Sequence, residues 1–394
     1  IFFLSIAVAL LSPWFLGWTW LHSFYKALVL LVIGCPCALV ISTPVTIVSA
    51  LARAARRGIL IKGGVYLEVA RHIMFIALDK TGTITEGKPR LVAYETINGD
   101  PSEIARDAAS LSARSDHPVS RAIAESLGPA DRPIVAFKAL AGRGVEGTLG
   151  DRTLFLGNHR LIEEMGLCSE ALESALRGHE EKGRTTALLA SSTEVRGLFA
   201  VADTIKPSSR DAITDLRELG VRTIMLTGDN QNTADSIARE AGIEECRGSL
   251  LPADKLQAIR DLKDGGALVA MTGDGINDAP ALALSDVGIA MGAAGTDAAI
   301  EAADVVVMND DLRRIPELIR LSKRTRAILL QNITFALGIK GVFLVLALFG
   351  SATMWMAVFA DMGASLLVVA NGLRLLHSRL QSRETEPGSG YQPG

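Results

Sequence analysis

The sequence predicts a multidomain fold in which α-helical transmembrane segments at both ends of the chain enclose a doubly wound α/β domain. Three observations carry that prediction. Mean hydropathy is positive although 21% of residues are charged. The apolar residues are segregated into four stretches, near 1–17, 25–51, 327–350 and 353–373. Between them lie three short apolar runs, each followed by a polar, glycine-containing cluster. Such runs suit strands buried on both faces of a parallel sheet, which deliver their last residues to one edge.

Each apolar stretch is expected to cross a bilayer, the first only at about the 17-residue lower limit. A buried core helix is the competing reading, and charge decides against it. Arg53, Arg56, Arg57 and Lys62 follow the second stretch, Lys323, Arg324 and Arg326 precede the third, and Arg374 and Arg379 follow the fourth. The connections WTWLHS and SAT carry no Lys or Arg, and Trp14, Trp18, Trp20 and Trp355 lie toward that side. This is a positive-inside pattern with an interfacial aromatic belt, which sets the helices in membrane lipid and residues 76–320 in the cytosol. A net charge of -3, with no basic run interleaved with aromatics, argues against a nucleic-acid partner. The four cysteines do not form a disulfide framework; Cys168 and Cys246 read as reduced, partly buried residues.

The first inner run, IMFIAL at 73–78, ends at Asp79 within ALDKTGTIT. Asp79 reads as a nucleophile. The run VRTIML leads into Thr227, Gly228 and Asp229, and ALVAM runs into TGDGINDAP, which brings Asp274, Asn277 and Asp278. At the carboxyl ends of neighbouring strands these clusters should converge. A carboxylate nucleophile, Mg2+-holding carboxylates and a phosphate-binding Thr and Lys together specify phosphoryl transfer through an aspartyl phosphate.

The second apolar stretch contains GCPCALVISTP, with Cys35 and Cys37 on either side of Pro36. Residues two apart face away from each other in a regular helix. Proline removes a hydrogen bond and opens the turn, so both thiols and a freed carbonyl can face one point. Thiolates there are ligands for soft or borderline metals; the alternative is two small apolar residues beside a kink.

Together the motifs DKTGTIT, TGDN, PADK and GDGINDAP resemble the phosphorylation domain of P-type ATPases, cation pumps built on a haloacid-dehalogenase-like α/β fold. The resemblance implies that Asp79 takes the γ-phosphate of ATP, that Lys80 and Lys255 screen its charge, and that Thr227 holds a phosphate oxygen. It also implies roles for Asp229, Asn277 and Asp278 in that site, with Asp79, Asp274 and the carbonyl of Thr81 holding Mg2+. The Thr81 hydroxyl stands where related phosphatases carry a second Asp. As a poor proton shuttle it would let the acyl phosphate persist long enough to drive a conformational change.

Cys-Pro-Cys followed by Ser-x-Pro is similar to the heavy-metal branch of these pumps. Asn332, followed eight positions on by Lys340, and the run Asp361-Met362-Gly363 match its zinc, cadmium and lead exporters. A carboxylate beside two thiolates suits a divalent borderline ion, the transported partner, better than Cu(I). Asp361 would be the third ligand after Cys35 and Cys37. Lys340 would supply the counter-charge when no metal is bound, since intramembrane charge is costly. Met354, Met356 and Met362 keep Cu+ export open as the alternative.

The same resemblance makes 91–201 an inserted α+β nucleotide-binding domain, bounded by Gly87-Lys88-Pro89 and Asp203-Thr204-Ile205-Lys206-Pro207, whose prolines suit hinges. Residues 76–90 and 202–322 would be the two parts of the phosphorylation domain. Residues 1–75 would hold two spans and a helical extension, and 323–376 two spans. The tail 377–394 should be disordered. SDHPVSRAIAESL reads as a helix with Ser115 or Asp116 near its cap and Pro118 in its first turn. His117 matches a residue that orients ATP in this branch, and Gly142, Gly144, Gly157 and Asn158 match its nucleotide-binding turns. Ser112 stands where the branch often has an adenine-contacting Glu.

The expectation is ATP-driven export of Zn2+, Cd2+ or Pb2+ from a bacterial plasma membrane, with ATP and Mg2+ as cofactors. The chain lacks the family's earlier helices and actuator domain and reads as a carboxy-terminal part of a pump, with the amino-terminal part as its missing partner. Two rival expectations are a non-cycling metal- and nucleotide-binding membrane module and a membrane-tethered phosphatase; the Thr81 hydroxyl opposes the second.

Overall fold

The computed structural model describes residues 2–140, 142–229, 231–292, 296–349 and 351–377. The tail expected to be disordered lies outside the described residues beyond His377, as does Arg379. The chain forms two compact units, one of residues 1–71 and 314–394 and one of residues 72–313.

The first unit is helical. Among the described residues, three helices are long and apolar enough to cross a membrane, when the two arms either side of Pro36 are counted together: Trp20–Arg56, Arg314–Ala347 and Met354–Leu376. This makes the chain a membrane protein. The first apolar stretch folds as the helix Phe2–Phe15, 14 described residues long. The second stretch is broken. One helix runs Trp20–Gly34, started by a Thr19 hydroxyl that accepts from the His22 amide, and another runs Cys37–Arg56, with Arg53 and Arg56 in its last turn favouring the helix dipole. Cys35 and Pro36 between them have non-helical backbone, as the missing proline N–H requires. Arg314–Leu348 is one continuous helix, so a domain boundary at 323 falls inside it.

The second unit holds two sheets. In the first, parallel strands lie in the order Val305–Val307, Val287–Met291, Val269–Gly273, Phe75–Asp79, Arg222–Leu226 and Glu245–Arg247. Ile76, Ala77, Leu78, Ile224, Met225, Leu226, Ala270 and Met271 are buried, which is why these strands read as unbroken apolar runs. Pairing of Leu78 with Met225 and with Thr272 brings the three central strands to the same edge.

The second sheet is antiparallel, ordered Thr85–Thr96, Val195–Ile205, Thr185–Ser191, Arg152–Gly157, Gly144–Leu149 and Val135–Leu140. Pro101–Ser112 and Pro118–Leu127 pack on it around Ile104, Leu111, Ile123, Leu154 and Phe199. The prolines expected to mark hinges sit in regular elements. Pro89 lies within a strand, opposite Asp203, and Pro207 is the first residue of the helix Pro207–Glu218. A two-stranded ribbon from Thr85 and Ile205 therefore enters the insertion, and the expected boundaries at 91 and 201 fall within its strands.

Candidate functional site

Asp79 closes the Phe75–Asp79 strand with 7% of its surface exposed. The Lys255 ammonium, brought in by the helix Pro252–Asp264, donates to Asp79 Oδ1 at 2.5 Å and to Asp278 Oδ1 at 2.9 Å. Lys80 points elsewhere: its ammonium lies 2.6 Å from Asp229 Oδ2, so Lys255 is the lysine in contact with Asp79. Thr227 is buried at the end of the neighbouring strand, and its hydroxyl accepts from the Asp229 amide. Thr81 is exposed, and Asn277 is exposed in a single turn of 3-10 helix.

Ligand oxygens of Asp79, Asp274 and Asp278 lie within 4.8 Å of one another. Burial, then the charge of Asp278, raise the Asp79 carboxyl to about 6 against the pull of Lys255. Burial and the Asp278 charge push Asp274 up as well. Crowded, half-desolvated carboxylates with one ammonium among them form a hard oxygen donor set, and such a set fits a divalent cation such as Mg2+. Gly82 belongs to the same construction. Its φ is +71°, and a Cβ there would lie 1.9 Å from Asp274 Oδ2. Only glycine lets the turn after Asp79 approach that carboxylate. Sequence reasoning missed two neighbours that hold this turn. The half-buried Lys206 donates to the Gly82 carbonyl at 2.5 Å, and the Thr85 hydroxyl lies 2.5 Å from Asp203 Oδ2. Lys206 and Asp203 sit in the segment taken only as a boundary, while Thr85 closes the motif that contains Asp79.

An open cleft of about 1590 Å³ runs from Lys80, Thr81 and Asp229 to Asn158 and Val119 in the insertion. Of the residues expected to bind nucleotide there, Asn158 lines it. Asn158 Oδ1 accepts from the Leu161 amide as a helix cap, and its Nδ2 donates to the Gly142 carbonyl. Gly144 and Gly157 face each other on paired strands, where a Cβ on Gly144 would meet Leu156 O at 2.2 Å and one on Gly157 would meet Arg143 O at 2.4 Å. Close strand approach is thus a packing reason for both glycines. Gly142 has φ +67° and open space around it. His117 is exposed, is not among the residues lining the cleft, and is itself the helix cap, accepting from the Val119 amide at Nδ1; Ser115 instead accepts from the His117 amide. Pro118 at the first helical position sets this offset. Ser112 is fully buried, with no hydrogen-bond partner for its hydroxyl.

In the membrane unit, the broken helix exposes carbonyls that an ammonium fills. Lys340 donates to Ile33 O at 3.1 Å, to Cys35 O and to Asp361 Oδ1 at 2.9 Å. The Cys37 thiol interacts with both Cys35 and Asp361. Cys35, Cys37 and Asp361 thus share one neighbourhood with Lys340, although among the described residues only Asp79, Asp274 and Asp278 gather at mutual ligand spacing. Asn332, 2% exposed, joins all three helices by donating to Ser42 Oγ and Val368 O and accepting from Asn371 Nδ2. The motif count registered Asn332 as a spacing mark, and only packing displays it as a hub.

The fold and the carboxylate site define the class: residues 73–286 match the family model of haloacid dehalogenase-like hydrolases, and the chain belongs to that family. Its relatives within the class are metal-transporting P-type ATPases. It is 44% identical over 382 residues to a zinc/cadmium/lead-transporting P-type ATPase of Escherichia coli strain K12, covering 95% of this chain and 51% of that protein. Against a cadmium-transporting ATPase of Staphylococcus aureus it is 42% identical over 383 residues, 95% of this chain and 53% of that one. The crystal structure of a zinc-transporting PIB-type ATPase in its E2.Pi state superposes with a TM-score of 0.87 at 41% identity, covering 95% of this chain and 62% of the other. The chain spans about half the length of the curated relatives it matches.

Proposed function

We propose that this chain carries the phosphorylation, nucleotide-binding and ion-site machinery of an ATP-driven exporter of a divalent heavy metal (Zn2+, Cd2+ or Pb2+) in a bacterial plasma membrane. The observation that carries the reading is Asp79, buried at a parallel strand end and held by Lys255 among Asp274 and Asp278. An Asp79 carboxylate oxygen attacks the γ-phosphorus of ATP, the bond to the bridging oxygen breaks, and ADP leaves. Lys255 offsets charge at the attacking oxygen and Thr227 offers a hydroxyl to the transferring group. Mg2+, held by Asp79, Asp274 and the Thr81 carbonyl, would neutralise charge developing on the phosphate oxygens. His117, Gly142, Gly144, Gly157 and Asn158 would shape the base end of the cleft, with Asp229 and Asn277 at its phosphate end. The metal, as cargo, would bind Cys35, Cys37 and Asp361, displacing Lys340 from Asp361; when the cargo leaves, the ammonium returns. The mixed sulfur and carboxylate donors favour a borderline divalent ion over Cu+.

The test is phosphoenzyme formation from γ-labelled ATP by the chain in detergent, with Zn2+, Cd2+, Cu+ or chelator. A hydroxylamine-labile signal raised by Zn2+ or Cd2+, absent in Asp79→Asn and lost to the metals in Cys35→Ala and Asp361→Ala, is expected. A signal indifferent to Asp361→Ala would refute the coupling. Stimulation by Cu+ alone would move the cargo to the copper class.

A further inference from the structure

Outside the residues assigned above, the cleft contains one guanidinium with an unusual support. Arg184 lines it, as do Lys80 and Asp229. Arg184 Nη1 lies 3.2 Å from His179 Nδ1, and His179 Nε2 lies 3.0 Å from Glu95 Oε1. His179 is only 6% exposed. A guanidinium can only donate, so His179 accepts at Nδ1 and donates from Nε2 to the carboxylate. The imidazole is thereby held at both ring nitrogens, as a spacer that fixes the arginine. A fixed guanidinium retains several donors in a planar fork, the geometry that recognises phosphate oxygens.

Backbone geometry also places this arginine. Gly183, at φ +69°, packs against the helix Gln231–Ala241, where a Cβ would come within 3.2 Å of Thr233 Cγ2 and 3.3 Å of Thr233 Cα. The turn that carries Arg184 is therefore pressed onto the wall of the cleft that this helix forms through Asn232, Thr233 and Ser236. A ligand lying along the cleft with its base toward Asn158 would pass its polyphosphate beside this turn.

We propose that Arg184 is a specificity-determining residue for the nucleotide, binding the β- and γ-phosphates, and that His179 and Glu95 are positioning residues acting through it; this rests on the nucleotide-binding reading above. The test is competition of ATP, ADP and AMP against labelled ATP on the purified full chain in detergent with chelator. Arg184→Gln should weaken ATP and ADP about tenfold and AMP less than about twofold, and Arg184→Lys should recover part of the loss. His179→Leu should lower the ATP-to-AMP preference similarly and add nothing further in the double variant with Arg184→Gln, a pattern that a merely structural histidine would not give. An ATP-to-AMP preference unchanged by Arg184→Gln overturns the inference while leaving nucleotide binding standing. Failure of the unaltered chain to bind any nucleotide overturns both.

Discussion

Asp79→Asn should stabilise the 72–313 unit at neutral pH while abolishing phosphorylation. Burial, then the Asp278 charge, raise the Asp79 carboxyl from 3.8 to about 6, with Lys255 opposing. Because the folded value lies above the unfolded one, Asp79 favours folding fully below pH 3.8, and that contribution is lost as pH rises through about 6. At about 1.4 kcal/mol per pH unit, the ionised carboxylate costs the folded unit about 3 kcal/mol at pH 7. A neutral amide removes most of this cost, and Lys255 keeps its bond to Asp278. A net gain of about 2 kcal/mol corresponds to about 4 to 8 °C for a unit of this size. The assay is far-UV circular dichroism melting in detergent with chelator at pH 7.5 and pH 4. Tryptophan fluorescence would miss the effect, since all four tryptophans lie outside residues 72–313. The gain should be near zero at pH 4, and Mg2+ should narrow it at pH 7.5 by stabilising the unaltered chain. An Asn variant that melts at or below the unaltered chain at pH 7.5, or a gain independent of pH, would refute the argument.

Gly82→Ala should cut Mg2+-dependent phosphorylation at least about 100-fold, because its Cβ would displace the Asp274 carboxylate and misplacement of about 1 Å suffices for such a loss; unaltered phosphoenzyme yield would sink this view of the turn. Arg196→Leu should destabilise the insertion by about 3 kcal/mol, since it removes a 2.7 Å partner from Asp107, a fully buried carboxylate left with Arg132. Burial raises the Asp107 carboxyl against its two arginines, so the penalty should shrink as pH falls and Asp107 takes up a proton. Hydrogen exchange of the 101–112 helix at two pH values measures it.

Much of the site was legible because strand and turn chemistry are local. A buried parallel strand must be apolar along its whole length, so 73–78, 221–226 and 267–271 announce themselves, and the polar residues after each must lie at its end. The broken helix at Cys35 was legible for the same reason, since Pro36 lacks an N–H wherever it sits. Helix caps were less so. His117 took the place expected of Ser115 or Asp116, because several side chains near a helix start can accept the same amide and packing selects among them.

Pairings across long separations were not legible. Composition and motif order determined by themselves that this is a membrane chain with a doubly wound α/β core and a helix broken at Pro36, since hydropathy, proline and strand ends act within a few residues. Tertiary structure alone decided which lysine meets Asp79, that Lys80 turns to Asp229, that Lys206 holds the Gly82 carbonyl, and that Lys340 fills the break at Cys35. It also decided that Asn332 ties three helices together and that His179 braces Arg184. A long charged or amide side chain has many partners available in an unfolded chain, and only the packed fold, by burying it, selects the few it keeps.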